Sequence, residues 1–215
     1  SSSHPSWKRV SGATTFNTLV VANTAGKVTL SSNTVASTLN VNDGKLSVAT
    51  GISLDLNGTL TLQTAADSTF EMLGTATMTI SGNFTVDTTN AAPTSIAAGA
   101  TVTFDGSGAQ TIGGTNTTGT LAFGILAVAN TGASAVSITD RSGVTDASAA
   151  AVNVNDGKLS VASGGSLDAN GAVTVQPTAA SVLELLGTAT ISVSGDLTAT
   201  AAPTAPFSFA SGTTV

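Results

Sequence analysis

Short stretches in which apolar and polar residues alternate recur along the whole chain, separated by turn-forming residues. Alternation with a period of two is typical of strands that are buried on one face. The stretches lie at 18–22, 27–30, 38–41, 45–48, 53–56, 59–62, 77–80, 84–86 and 101–104. Asn-Asp-Gly at 42–44, Asn-Gly at 57–58 and Ser-Gly-Asn at 81–83 favour tight turns between them. No apolar stripe of helical period lasts more than two turns, so we predict an all-β fold.

A longer period divides the chain into two copies of one unit of about 110 residues. NVNDGKLSVATG at 40–51 returns as NVNDGKLSVASG at 153–164, an offset of 113, and 36 of the 63 aligned pairs from 40/153 to 102/215 are identical. Upstream, FNTLVVANTAG at 16–26 matches FGILAVANTGA at 123–133 with an offset of 107, so the second copy carries six extra residues near 140–151. We assign 13–114 to repeat unit 1 and 115–215 to repeat unit 2, which ends in mid-unit.

Two all-β architectures fit this pattern. In one, each repeat unit is a β-sandwich, and the chain is two tandem sandwich domains. In the other, the chain is a parallel β-solenoid of roughly ten coils, each of about 20 residues. We prefer the solenoid because the strands are uniformly short and their apolar residues are mostly Val, Leu, Ile and Ala. In addition, no Trp or Tyr offers the landmarks of a sandwich core.

Composition limits the functions that the chain can have. Charged residues make up 8% of the 215 residues, against roughly 25% in an average domain, which argues against an enzyme built on ionisable side chains. Six Lys and Arg residues and a net charge of −6 leave no basic stripe for nucleic acid or for an anionic membrane. No apolar run reaches the length of a membrane-spanning helix. Cysteine is absent, so neither disulfides nor thiolate metal sites are expected.

One pair of motifs resembles a known class of proteins. FDGSGAQTIGG at 104–114, followed by the strand FGILAVANTGA, resembles repeats of large bacterial surface and secreted proteins. The second element of those repeats is a Phe-Asn-x-Leu-x-Val strand, and FNTLVV at 16–21 matches it closely. In the strand that begins at Phe123, Gly124 stands in place of the Asn. The broader similarity is to the β-solenoids of filamentous haemagglutinin and autotransporter passengers. The resemblance implies a stalk, adhesin or fibre function at the cell surface or outside the cell, and it supplies no catalytic residues.

The two ends of the chain are complementary in the repeat pattern. Repeat unit 2 lacks the counterpart of residues 103–114, and 12 residues precede repeat unit 1. We therefore interpret 1–12 as a candidate docking strand between subunits, and we expect head-to-tail association of identical chains. The alternative is that the chain is a piece of a longer repeat array. The apolar residues expected at the subunit junction are Trp7, Val10, Phe16, Phe207, Phe209 and Val215.

Few residues suggest chemistry. His4 is the only histidine, and Glu71 and Glu184 are the only glutamates, so no catalytic or metal-binding set is expected. Asp43, Asp55 and Asp67 are twelve residues apart but stand beside Asn or Gly, which is typical of Asx turns. We expect no cofactor.

Three sequons are candidate glycosylation sites, namely Asn57, Asn83 and Asn116. Together these features predict an extracellular structural protein, the subunit of a filament or stalk whose partner is a second copy of itself. The alternative is an adhesin or carbohydrate-binding module of a longer surface protein, with cell-surface or matrix glycans as partners.

Overall fold

The protein is an all-β, parallel β-solenoid of about eight turns. The structure is a computed structural model, and it describes residues 13–178, 180–200 and 205–215. The predicted solenoid is thus confirmed, and the alternative of two tandem β-sandwiches is wrong. Every pairing between the named strands is parallel, and pairings run without a break across the boundary between the repeat units at residues 114 and 115.

The strands of repeat unit 1 include two long ones that bend around corners and eight short ones. They are β1 (Thr14–Leu30), β2 (Thr34–Val48), β3 (Ser53–Leu56), β4 (Leu60–Leu62), β5 (Thr69–Met72), β6 (Thr77–Ile80), β7 (Phe84–Val86), β8 (Thr94–Ile96), β9 (Thr101–Phe104) and β10 (Gln110–Gly113).

The strands of repeat unit 2 follow the same pattern. They are β11 (Leu121–Ala129), β12 (Ala135–Ile138), β13 (Ala147–Asp156), β14 (Lys158–Val161), β15 (Ser166–Ala169), β16 (Val173–Val175), β17 (Val182–Leu185), β18 (Thr190–Val193), β19 (Leu197–Ala199) and β20 (Phe207–Phe209).

The strands stack in three columns that form the three walls of the solenoid. Column 1 contains the start of β1 and of β2, then β3, β6, β9, the end of β11, the end of β13, β16 and β19. Column 2 contains the middle of β1 and of β2, then β4, β7, β10, β12, β14, β17 and β20. Column 3 contains the end of β1 and of β2, then β5, β8, the start of β11, the start of β13, β15 and β18.

The core is a set of apolar ladders, because parallel pairing in register places each inward side chain over its counterpart in the next coil. The column 1 ladder is at most 1% exposed and consists of Leu54, Met78, Val102, Leu126, Val152 and Val173. Across the core, the Phe84 ring meets the rings of Phe70 and Phe123 edge-on at 6.3 and 5.6 Å between centroids. Such edge-to-face contacts stabilise the core beyond the free energy that comes from burying the rings.

Coil length varies more than the sequence suggests. The paired positions are 18 residues apart between Lys27 and Lys45, 24 between Ser53 and Thr77, and 28 between Phe84 and Ile112. The predicted coils of about 20 residues are therefore too short, and the predicted ten coils become about eight. The extra residues lie at corners, where loops leave the column without disturbing the pairing.

Buried amide side chains close some of these corners. The Gln110 amide nitrogen donates to the carbonyls of Ile80 and Gly82, each at 2.8 Å. Its oxygen accepts from Gly106 N at 3.1 Å and from the Asn130 amide nitrogen at 2.8 Å. All four bonding positions of this side chain are used. This Gln belongs to the GSGAQTIGG motif, so the motif satisfies the backbone groups that a corner exposes.

A glycine is required where two coils approach closely in each repeat unit. Gly44 and its repeat equivalent Gly157 have φ of 73° and 76°. A Cβ atom would lie 2.0 Å from the carbonyl oxygen of Asn23 at the first position and of Asn130 at the second. These two Asn residues are themselves repeat equivalents. Both the left-handed backbone and the neighbouring coil exclude a side chain.

Gly157→Ala should lower the free energy of unfolding by about 1 to 3 kcal/mol or more, since strain and the clash act together. Gly108→Ala is the matched control, because an added Cβ there meets no atom within 4 Å and φ is ordinary. It should change stability by roughly 0.5 kcal/mol or less. Urea unfolding followed by circular dichroism measures both. Equal effects of the two substitutions would contradict the close approach.

Candidate assembly surfaces

The first coil leaves inward-pointing apolar side chains partly uncovered. Phe16, Leu19, Val28 and Leu30 are only partly buried, although each points into the core. The residues paired with them in the next coil are fully buried, namely Ala36, Leu39, Leu46 and Val48. The core is therefore open to solvent at the N-terminal end of the described stack.

The last coils show the same feature at the opposite end. Val193, Leu197 and Phe207 are partly buried, whereas Phe209 is 41% and Val215 is 63% exposed. The rings of Phe207 and Phe209 lie 6.0 Å apart at 36°. These side chains form an apolar surface that continues the core to the end of the stack.

Within the part of the chain that the structure describes, strand edges are unpaired at both ends of the stack. Among the described residues, β1 pairs only with β2, β19 only with β16, and β20 only with β17. A parallel strand with one free edge presents N–H and C=O groups that a further strand can bond. The two ends thus combine an apolar surface with hydrogen-bonding groups, which is the requirement for adding another coil.

The structure places the predicted junction residues at opposite ends. Phe16 lies in the first coil, and Phe207, Phe209 and Val215 lie in the last two, whereas Trp7 and Val10 lie outside the described residues. Sequence reasoning missed Leu19, Leu30, Val193 and Leu197. Continuing the inward alternation of each column to its first and its last strand would have found them.

A lysine and glutamate cluster recurs once in each repeat unit, on different walls. Glu71 accepts contacts from Lys27 and Lys45, with 3.4 Å between each Nζ and a carboxylate oxygen. In repeat unit 2, Lys158 Nζ lies 3.1 Å from Glu184 Oε1. Burial of the Glu71 carboxyl opposes ionisation, but the Ser47 hydroxyl and the two lysines outweigh it, so the pKa of Glu71 lies below its ordinary value. These charges are paired with each other across coils.

Glu71→Gln should reduce stability at neutral pH by roughly 1 kcal/mol or less, the range of partly exposed ion pairs. Because the folded pKa of Glu71 is lowered, its contribution is complete above the unfolded pKa and is lost as the pH falls through the folded pKa. The variant should therefore lose less stability than the parent chain on acidification below about pH 4.5. Thermal melts at pH 7, 5 and 3 test this. Glu184→Gln, with one lysine partner, is the comparison, and parallel pH profiles for parent and E71Q would contradict the argument.

One ion pair is fully buried. Arg141 and Asp146 lie in the loop 139–146, where repeat unit 1 has only 31–33, and their side chains are 0% and 2% exposed. Arg141 Nη1 donates to the Gly119 carbonyl at 2.7 Å and to the Asn116 carbonyl at 3.2 Å. The Asp146 carboxylate accepts from Arg141 N at 2.7 Å and Ser166 N at 2.8 Å. The pair thus fastens three successive coils at a corner rather than facing solvent.

Arg141→Ala should lower stability by about 3 to 5 kcal/mol, because it leaves the Asp146 carboxylate and several carbonyls buried without their partner. Asp146→Ala should cost a similar amount, and the double variant should cost clearly less than the sum of the two. Urea unfolding of the three variants gives the coupling energy. Additive effects would show that the two side chains act independently.

The other candidate residues are dispersed. Asp43 and Asp67 share a hydrogen bond, which raises the pKa of Asp43 and lowers that of Asp67. Asp55 instead accepts from the Thr79 hydroxyl at 2.9 Å. No three His, Asp or Glu side chains among the described residues come together as a metal site. His4 lies outside those residues.

The three sequons differ in access. Asn57 is exposed, and Asn83 is half-buried, with its Oδ1 accepting from Thr111 N at 2.9 Å. Asn116 is 2% exposed. Its Nδ2 donates to the Asn90 carbonyl at 2.9 Å, and its Oδ1 accepts from Gly119 N at 2.9 Å. A glycan on Asn116 would require this corner to open, whereas Asn57 can carry one on the folded surface.

Comparison with known proteins adds no relative. A scan against protein-family models, a search of curated proteins and a search of solved structures found no match. Within the described part of the chain, no helix is long and apolar enough to cross a membrane.

Proposed function

We propose that this protein is an extracellular structural protein, the subunit of a surface filament or stalk that assembles head-to-tail through strand edges. The observation that carries the proposal is the pair of open ends. Within residues 13–178, 180–200 and 205–215, each end combines free strand edges with partly uncovered core residues, and the two ends belong to one continuous parallel stack.

The energetics of such a contact resemble those of adding a coil. Covering the exposed 41% of Phe209 and 63% of Val215 contributes roughly 1 kcal/mol each, about half of the value for burying such a side chain completely. Pairing of the free edge satisfies backbone groups in the same step. A contact that places each subunit further along the solenoid axis does not close into a ring, so it generates a linear polymer.

The side walls support the same function. The charged clusters Lys27–Glu71–Lys45 and Lys158–Glu184 pair across coils, and Arg141 and Asp146 hold a corner. The proposal therefore assigns these charges to the architecture and assigns no catalytic role. The location outside the cell is inferred from the composition and from the resemblance to surface β-solenoids.

A second candidate function is glycan binding as part of a longer surface protein. An open groove on column 3, near the C-terminal end of the stack, favours it. Leu167 and Ile191 line this groove together with hydroxyls and one carboxylate, from Thr145, Ser166, Asp168, Thr190, Ser192 and Thr214. Such groups can bond sugar hydroxyls.

Negative-stain electron microscopy of the purified chain at two concentrations tests the filament. Uniform filaments that lengthen with concentration are expected. Phe209→Asp should raise the concentration needed for assembly by roughly tenfold or more, since loss of about 1.4 kcal/mol per contact has that effect. Leu186→Asp is the matched control, because Leu186 is also 41% exposed but lies at a corner on the side wall. Isolated short rods at all concentrations would contradict the proposal and favour the glycan-binding alternative.

A further inference from the structure

Residues that are equivalent in the two repeat units do not lie on the same wall of the solenoid. Leu39 lies in column 2, but its equivalent Val152 lies in column 1. Phe70 in column 3 corresponds to Leu183 in column 2, and Met78 in column 1 corresponds to Ile191 in column 3. The same shift by one column relates the Lys45–Glu71 and Lys158–Glu184 pairs.

The shift follows from the number of strands in a repeat. Each passage of the chain through one column counts here as one position, so a long strand that bends around corners counts more than once, and three positions make one turn. From the middle of β2, which contains Leu39, to the end of β13, which contains Val152, the chain advances by fourteen positions. One repeat is therefore four and two-thirds turns, and each repeat is rotated by one column about the solenoid axis relative to the one before it. The core tolerates this because most inward positions are apolar in all three columns.

The chain consequently contains an internal example of the contact between its own ends. β18 already pairs with Thr214 of the same chain, as its equivalent β6 pairs with β9. The strands β19 and β20 are equivalent to β7 and β8, which β10 and β11 cover at the boundary between the repeat units. The first strand β1 is equivalent to β11 and β12. β11, which covers β8 and β9, therefore has its equivalent in β1, at the N-terminal end of the described stack.

Burial of identical residues at equivalent positions supports this reading. Val102 is 0% exposed, whereas its equivalent Val215 is 63% exposed. Leu126 and Phe123 are 0% and 4% exposed, whereas their equivalents Leu19 and Phe16 are only partly buried. The same side chains that are uncovered at the two ends are therefore covered where the two repeat units meet.

We propose that a second copy of this chain docks on the C-terminal end with the register of the internal junction and with a rotation of one column. This inference rests on the proposed function and specifies its contact. Ile125 pairs with Thr101, and Leu126 pairs with Val102. By the repeat relation, Thr18 of the second copy pairs with Thr214, and Leu19 of the second copy pairs with Val215.

The contact continues in the two other columns. Ala122 N donates to the Thr94 hydroxyl at 2.8 Å, and the equivalent neighbours are Thr15 of the second copy and Phe207. In the remaining column, β19 is the equivalent of β7, and β10 covers β7 at the internal junction. The counterpart of β10 in the second copy falls before β1, in residues 1–12, which lie outside the described part of the chain.

Disulfide trapping tests the register, since the chain has no cysteine of its own. Thr18 and Thr214 are exposed and lie at opposite ends of one molecule, so a disulfide between them joins two copies. Neighbours on parallel strands have a Cα separation within the range of disulfides. Thr18→Cys/Thr214→Cys, oxidised with diamide, should give a ladder of dimers, trimers and longer species on a non-reducing gel, and the ladder should collapse on reduction.

Three controls make the result specific. Thr15→Cys/Thr198→Cys places thiols at outward positions of column 1 at both ends, where they meet only if copies stack without rotation. Each single variant, Thr18→Cys or Thr214→Cys, should give dimers at most. Circular dichroism of each reduced variant verifies that the fold is retained.

The outcomes separate this inference from the proposed function. A ladder from Thr18→Cys/Thr214→Cys and none from Thr15→Cys/Thr198→Cys supports the rotated register. A ladder from Thr15→Cys/Thr198→Cys alone, or filaments by microscopy with no ladder from either variant, overturns the register while the filament function stands. Neither ladder nor filament overturns both.

Discussion

The parallel pairing of each coil with the next is the constraint on which the rest of the structure depends. Because the pairing keeps register, Leu54, Met78 and Val102 fall into one inward ladder, while their neighbours Asp55, Thr79 and Thr103 all face outward. A slip by one residue would exchange the two sets and place carboxylates and hydroxyls in the core. Corners can vary in length because they lie outside these ladders.

Sequence alone predicted the strands that alternate clearly, and with them the all-β class, the solenoid and the two repeat units. It did not predict β8, whose inward position Thr94 interrupts the apolar alternation. It also missed β5, although Phe70 and Met72 alternate there with Thr69 and Glu71. The count of coils failed for a related reason. Corners such as the one closed by Gln110 depend on hydrogen bonds between residues up to 30 positions apart, which no local pattern reports. Of the junction candidates, the aromatic residues were visible as bulky groups near the ends, whereas Leu19 and Leu197 became recognisable only when the columns were known.

The buried polar side chains share one task, which is to satisfy the backbone where it leaves the ladders. Gln110, Asn116, Asn130 and Arg141 all donate to carbonyl groups of neighbouring coils. An unpaired carbonyl in the interior is costly, so each long corner needs such a residue. The loop around Arg141 shows how extra residues are accommodated, since it brings its own donors and its own counterion.

The rotation between the two repeat units indicates how such a protein can grow in evolution. A duplicated segment need not contain a whole number of turns, because any strand can follow any other when its inward positions are apolar and its outward positions polar. The unit of inheritance is therefore the strand with its corner, and not the coil. In an array of such units, a side-wall feature such as the lysine and glutamate pair points in three directions in succession and regains its first direction after three repeats. A fibre built this way has no preferred side, and every flank offers the same chemistry to its surroundings.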